Sequence, residues 1–136
     1  MSKPLLVVDE VSKSFAEVHA LHEVSLTIHQ GDIVGLVGSN GAGKTTLLRL
    51  LSGVYRPSSG SVHLGDGKSI STARHAIGVV PENTGLYSRL TAWENIRYHA
   101  RMQGIDDDEA WKRTLYFSRY LGMEDSLQRH TKGFSR

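Results

Sequence analysis

The stretch Gly38-Ser39-Asn40-Gly41-Ala42-Gly43-Lys44-Thr45-Thr46 constrains the fold of this chain more than any other. Its spacing, G-x-x-x-x-G-K-S/T, carries a specific mechanism. Glycines let several backbone N–H groups converge on phosphate oxygens, the lysine reaches the outer phosphates, and the following hydroxyl ligates Mg²⁺. The flanks fit that reading. Asp32-Ile33-Val34-Gly35-Leu36-Val37 is a short, nearly continuous apolar run, as expected of a buried parallel strand. Leu47, Leu48, Leu50 and Leu51 follow at helical spacing. The loop is therefore expected to join a strand to a helix N-terminus, where unpaired N–H groups and the helix dipole favour anions.

Bulk composition narrows the partners. The 136 residues carry a net charge of +2 with basic and acidic residues interspersed, which predicts no nucleic-acid-binding stripe and no polybasic membrane tail. No cysteine is present, so neither a disulfide framework nor a thiolate metal site is available. The apolar stretch near the N-terminus is too short for a signal peptide, and no apolar run approaches a membrane span. These features predict a soluble, cytoplasmic chain. The seven histidines are scattered without metal-ligand spacing and read as structural or surface residues.

Along the chain, residues 5–12 read as a strand, and residues 24–29 alternate apolar with polar as a half-buried antiparallel strand does. Gln30-Gly31-Asp32 reads as a turn. The helix after the phosphate loop is expected to stop near Gly53, and residues 61–64 form a short strand. Residues 76–80 are a further apolar run, predicted as a strand closed by Pro81. From Thr91 the pattern turns helical. Thr91-Ala92-Trp93-Glu94 fits a capping box, with Trp93, Ile96 and Ala100 on one face and Gly104 as the stop. Asp106 caps a second helix, whose acidic start (Asp107, Asp108, Glu109) complements the helix dipole, and Gly122 ends it.

The order of these parts resembles the N-terminal part of the nucleotide-binding subunit of an ATP-binding cassette (ABC) transporter. Three segments carry the resemblance: Val11-Ser12-Lys13-Ser14-Phe15, then Ala20-Leu21-His22-Glu23-Val24-Ser25-Leu26, then residues 31–46 with the Asn40-Gly41-Ala42-Gly43 interior. It implies an α/β P-loop NTPase: a RecA-like core with an antiparallel β subdomain over residues 1–90, and the start of a helical subdomain over 91–136. It also implies ATP and Mg²⁺ as cofactors. The family's adenine-stacking aromatic falls on Phe15, with Val18 beside it. A flat ring suits that role because it offers area and dispersion without demanding a hydrogen-bond pattern. Lys44 then serves the phosphates and Thr45 the Mg²⁺.

Residues 78–87 resemble the family's Q-loop, but Glu82 stands where glutamine is usual. A carboxylate can ligate a hard cation, yet it adds negative charge near the γ-phosphate and cannot donate as an amide does. The Pro81-Glu82 pair followed by Gly85-Leu86-Tyr87 is similar to cassettes of exporters. The aromatics Trp93, Tyr98, Trp111, Tyr116 and Tyr120 belong to the helical subdomain in this reading. Lys132-Gly133-Phe134-Ser135-Arg136 looks like the start of the signature sequence, with Ser135 on the serine that contacts the γ-phosphate held by the opposite cassette.

The resemblance implies two partners: a second cassette, as homodimer or heterodimer, and a transmembrane permease subunit that holds the chain at the inner face of the membrane. The Walker B aspartate, catalytic glutamate and switch histidine have no match in these residues. Phosphoryl transfer needs a water-orienting group, so nucleotide binding without hydrolysis is expected of this chain. Strand partners for residues 33–37 are expected to come from sequence outside it. Two alternatives stand beside the transport subunit: a non-hydrolytic nucleotide-binding module, and a soluble ABC ATPase of translation or repair. GTPases are disfavoured, because no N-K-x-D follows Lys44.

Overall fold

A computed structural model describes residues 3–80 and 85–134, which fall into two compact units, Met1–Val79 and Val80–Arg136. In the first, β1 (Pro4–Phe15) and β2 (Val18–His29) form an antiparallel hairpin, and β3 (Ser59–Leu64) pairs antiparallel on the other side of β1. Val8 and Val11 are both buried, although residues three apart on a regular strand face opposite sides. A bulge reconciles them. Val8 pairs with Leu26 but Val11 with Val24, and against β3 Asp9 pairs with Ser61 but Ser12 with Ser59, so β1 carries one extra residue against both neighbours. The bulge falls where Glu10 has φ 45°. It turns both valines into a core shared with Leu50, Val62 and Ile70.

The phosphate loop leads into α1 (Lys44–Leu51), anchored by buried Leu47 and Leu50. The helix ends in a Schellman motif: the Val54 N–H donates to the Arg49 carbonyl at 2.9 Å and the Gly53 N–H to Leu50 at 3.0 Å. Gly53, at φ 71°, supplies the left-handed residue this motif needs.

Two expected strands are absent. Residues 32–40 make no strand ladder, and Ile33 and Val37 are 101% and 95% exposed rather than buried. Residues 76–80 likewise form no strand; a 3-10 turn covers Arg74–Ala76 and Val80 is 91% exposed. The reason is common to both. A strand exists by hydrogen bonds to a neighbour, and among the described residues the sheet is three-stranded and uses neither run.

In the second unit, α2 (Ala92–Met102) and α3 (Asp107–Tyr120) pack through an edge-to-face pair of Trp93 and Trp111, with ring centroids 4.7 Å apart. The Thr91 capping box is complete: the Glu94 N–H donates to the Thr91 hydroxyl and the Thr91 N–H to the Glu94 carboxylate. Asp106 caps α3 by accepting from the Glu109 N–H at 2.9 Å. Both helices end as α1 does, with Gly104 and Gly122 at the left-handed position. The returning chain satisfies two further N–H groups at the start of α2: Ala92 donates to the Arg129 carbonyl and Trp93 to that of Leu127.

Candidate nucleotide site

Helix α1 begins at Gly43, which has left-handed backbone (φ 91°) and no side chain to cap the helix, and its first turn holds no acidic residue. The N-terminal N–H groups thus keep their positive field free of a competing carboxylate. Inside the loop, Lys44 Nζ donates to the carbonyls of Gly38 and Ser39, each at 2.6 Å, and the Ala42 N–H donates to the Ser39 carbonyl at 3.2 Å. Gly41 is also left-handed, at φ 83°. A Cβ on Gly38 would lie 3.3 Å from that of Ala42, so the loop closes tightly there. Thr45 is exposed and Thr46 half-buried. This donor set suits an anion: backbone N–H groups, one ammonium and neutral hydroxyls. Among the described residues there is no group of three or more His, Asp or Glu that could hold a metal ion.

The structure brings Phe15 and Val18 to the same unit as the loop. A Cβ on Gly43 would sit 2.6 Å from the Ala20 carbonyl oxygen and 2.8 Å from Leu21 Cδ2, so the start of β2 lies directly against the loop. The hairpin turns at Ala16 and Glu17, just before β2 begins, with Phe15 paired to Val18 across its tip. Phe15 is 41% exposed and Val18 65%, leaving both side chains accessible.

Phe15 does not stand alone. Tyr55 meets it edge-to-face, with centroids 5.3 Å apart and planes at 67°. Lys13 Nζ lies 5.1 Å from the Phe15 centroid and 5.8 Å from that of Tyr55. Sequence reasoning missed Tyr55. Its signal was indirect: a helix that stops at Gly53 in a Schellman motif reverses the chain, and the next residues return along the helix.

Glu82 and Ser135 lie outside the described residues. Between them, the second unit is organised by Asn95, which is 2% exposed and tied to the backbone of Tyr87, Leu90 and Thr91. The Glu94 carboxyl is held below its usual pKa, first by the hydrogen bond from the Thr91 N–H. Asp107 is likewise lowered, first by its hydrogen bond with Arg101.

The family model described as ABC transporter matches residues 21–136. The chain belongs to the ABC transporter family. Its relatives within that family include the ABC transporter ATP-binding protein NatA of Bacillus subtilis, 38% identical over 97% of this chain and 57% of NatA. Another is the linearmycin resistance ATP-binding protein LnrL of the same organism, 31% identical over 96% of this chain and 43% of LnrL. Ribose and methionine import ATP-binding proteins also match. Among solved structures, cbiO1 from Clostridium perfringens, described as part of the ABC transporter complex cbiONQ, superposes with a TM-score of 0.82 at 26% identity, over 98% of this chain and 56% of that one. The chain spans about half the length of NatA, LnrL and cbiO1. The fold is thus the α/β P-loop NTPase of ABC ATP-binding subunits, and the family is one of ATP-binding proteins. Among the described residues, no helix is long and apolar enough to cross a membrane.

Proposed function

We propose that this chain binds ATP with Mg²⁺ as the nucleotide-binding part of a transport ATPase, with the core over residues 1–90 and the helical part over 91–136. The observation that carries the reading is the docking of the Phe15 hairpin on the phosphate loop through Gly43, which sets a ring and a phosphate cradle in one unit. In this reading Phe15 and Val18 face the base. Residues 38–46 wrap the phosphates, Lys44 neutralises their outer charge, and Thr45 offers its hydroxyl to Mg²⁺. The same reading assigns Glu82 to that metal in place of the usual amide, and Ser135 to a nucleotide held by a second cassette.

Two such cassettes, identical or not, work on a permease at the inner face of the membrane, and ATP turnover belongs to that assembly. Export is the direction we favour, on the Pro81-Glu82 and Gly85-Leu86-Tyr87 block; the import relatives mark the opposite direction as the competing outcome. The test is binding of a fluorescent ATP analogue with and without Mg²⁺. Saturable binding strengthened by Mg²⁺ and lost in Lys44→Ala is expected, with phosphate release no faster than in that variant. Equal binding by Lys44→Ala would remove the proposal.

A further inference from the structure

We infer that Tyr55, braced by Arg49, is a positioning residue that fixes the Phe15 ring for stacking on a nucleotide base. This rests on the reading of Phe15 as the base platform. A half-exposed ring beside a hairpin tip must be ordered before it can stack, and ordering a side chain on binding subtracts from affinity. Tyr55 is built to take up that cost beforehand.

Its ring is partly buried against the core of Val8, Val11, Leu50, Val62 and Ile70. Its N–H donates to the Arg49 carbonyl at 3.0 Å, and its hydroxyl accepts from Arg49 Nη1 at 2.8 Å. The Arg49 guanidinium also lies 5.4 Å from the Tyr55 centroid. Phe15 then rests edge-to-face against a ring held at both ends. Lys13 Nζ also approaches both rings while donating to the Arg56 carbonyl at 2.9 Å. Among the described residues neither Lys13 nor Arg49 forms an ion pair with a carboxylate; Lys13 is engaged by the two rings and the Arg56 carbonyl, and Arg49 by the Tyr55 ring and hydroxyl. Arg49 sits in the last turn of the helix that the phosphate loop opens. One short helix therefore positions both ends of the site.

A merely structural Tyr55 and a positioning Tyr55 differ in which part of the nucleotide they affect. Calorimetric titration of the chain with Mg-ATP and with inorganic tripolyphosphate, which has no base, separates them. Base–aromatic stacking is strong enough that Tyr55→Leu, which keeps apolar bulk, should weaken ATP about 5- to 20-fold and leave tripolyphosphate within about 2-fold. Tyr55→Phe, which keeps the ring, should recover most of that loss and shows that the protein is folded if Tyr55→Leu is not. Adding Tyr55→Leu to Phe15→Ala should cost nothing further. Equal weakening of both ligands, or full additivity with Phe15→Ala, would overturn the inference while leaving the nucleotide site intact. A wild-type chain that binds tripolyphosphate as tightly as ATP overturns the base platform itself. Binding of neither ligand overturns the proposed function along with it.

Discussion

Asn95 and Tyr87 exchange hydrogen bonds: the Tyr87 N–H donates to Asn95 Oδ1 at 2.9 Å, and Asn95 Nδ2 donates back to the Tyr87 carbonyl at 3.2 Å. The same amide reaches the Thr91 carbonyl at 2.9 Å, and the Thr131 hydroxyl donates to the Tyr87 carbonyl at 3.0 Å. One buried side chain thus ties the segment before α2 to the helix, and through Tyr87 to the returning chain near residue 131. Replacing it with leucine leaves the Tyr87 N–H without a partner and crowds the site. A loss of about 2–4 kcal/mol is expected, from one or two stranded polar groups. Both tryptophans of the chain, Trp93 and Trp111, lie in this unit, so a urea titration followed by their fluorescence reads it alone. An unchanged midpoint in Asn95→Leu would show that the network contributes nothing.

The capping box predicts a pH dependence of defined sign. The folded-state pKa of Glu94 is depressed below the ordinary 4.5, chiefly by the Thr91 N–H. A carboxyl of this kind contributes stability that is fully present above its unfolded pKa and lost as pH falls through the folded value. Stability of this unit should therefore fall below about pH 4.5. Asp107, lowered by Arg101, adds to the fall in the same direction. Glu94→Gln keeps an acceptor for the Thr91 N–H but removes the charge. The stability difference between wild type and Glu94→Gln should then hold level from pH 6 down to about pH 4.5 and shrink from there toward pH 3, as read by tryptophan fluorescence melts. A difference that stays constant over that range would mean that the carboxylate charge is not what the cap uses.

What the sequence made legible was local chemistry. Thr91, Glu94 and Asp106 cap helices through groups three residues apart, and a glycine at the left-handed position ends each helix, so both boundaries are written in a few neighbouring residues. The start of α1 after the glycine-rich run, with left-handed backbone at Gly41 and Gly43, was legible for the same reason. Residues 33–37 and 76–80 show the limit. Their apolar character is plain, but being a strand depends on a partner elsewhere, and none lies beside them among the described residues. Tyr55 was hidden for a related reason: its meeting with Phe15 spans 40 positions and depends on how the chain leaves α1. The bulge at Glu10 was equally hidden, since β1 reads as a plain strand until both of its neighbours are known.

Two glycines of the phosphate loop should respond differently to the same substitution. Both have left-handed backbone, with φ 83° at Gly41 and 91° at Gly43, so alanine is strained at either by about 1–2 kcal/mol. Around Gly41 nothing lies within 4 Å of a new Cβ, whereas at Gly43 it would stand 2.6 Å from the Ala20 carbonyl oxygen. Relief at Gly43 requires the loop and β2 to part, which should raise the total to about 2–5 kcal/mol. Parting them also separates the cradle from the hairpin that carries Phe15. Gly43→Ala should therefore lose ATP affinity well beyond Gly41→Ala, and hydrogen exchange should speed up across β2 in Gly43→Ala alone. Equal exchange profiles in the two variants would mean that the close approach of Gly43 to Ala20 does not hold the two halves of the site together.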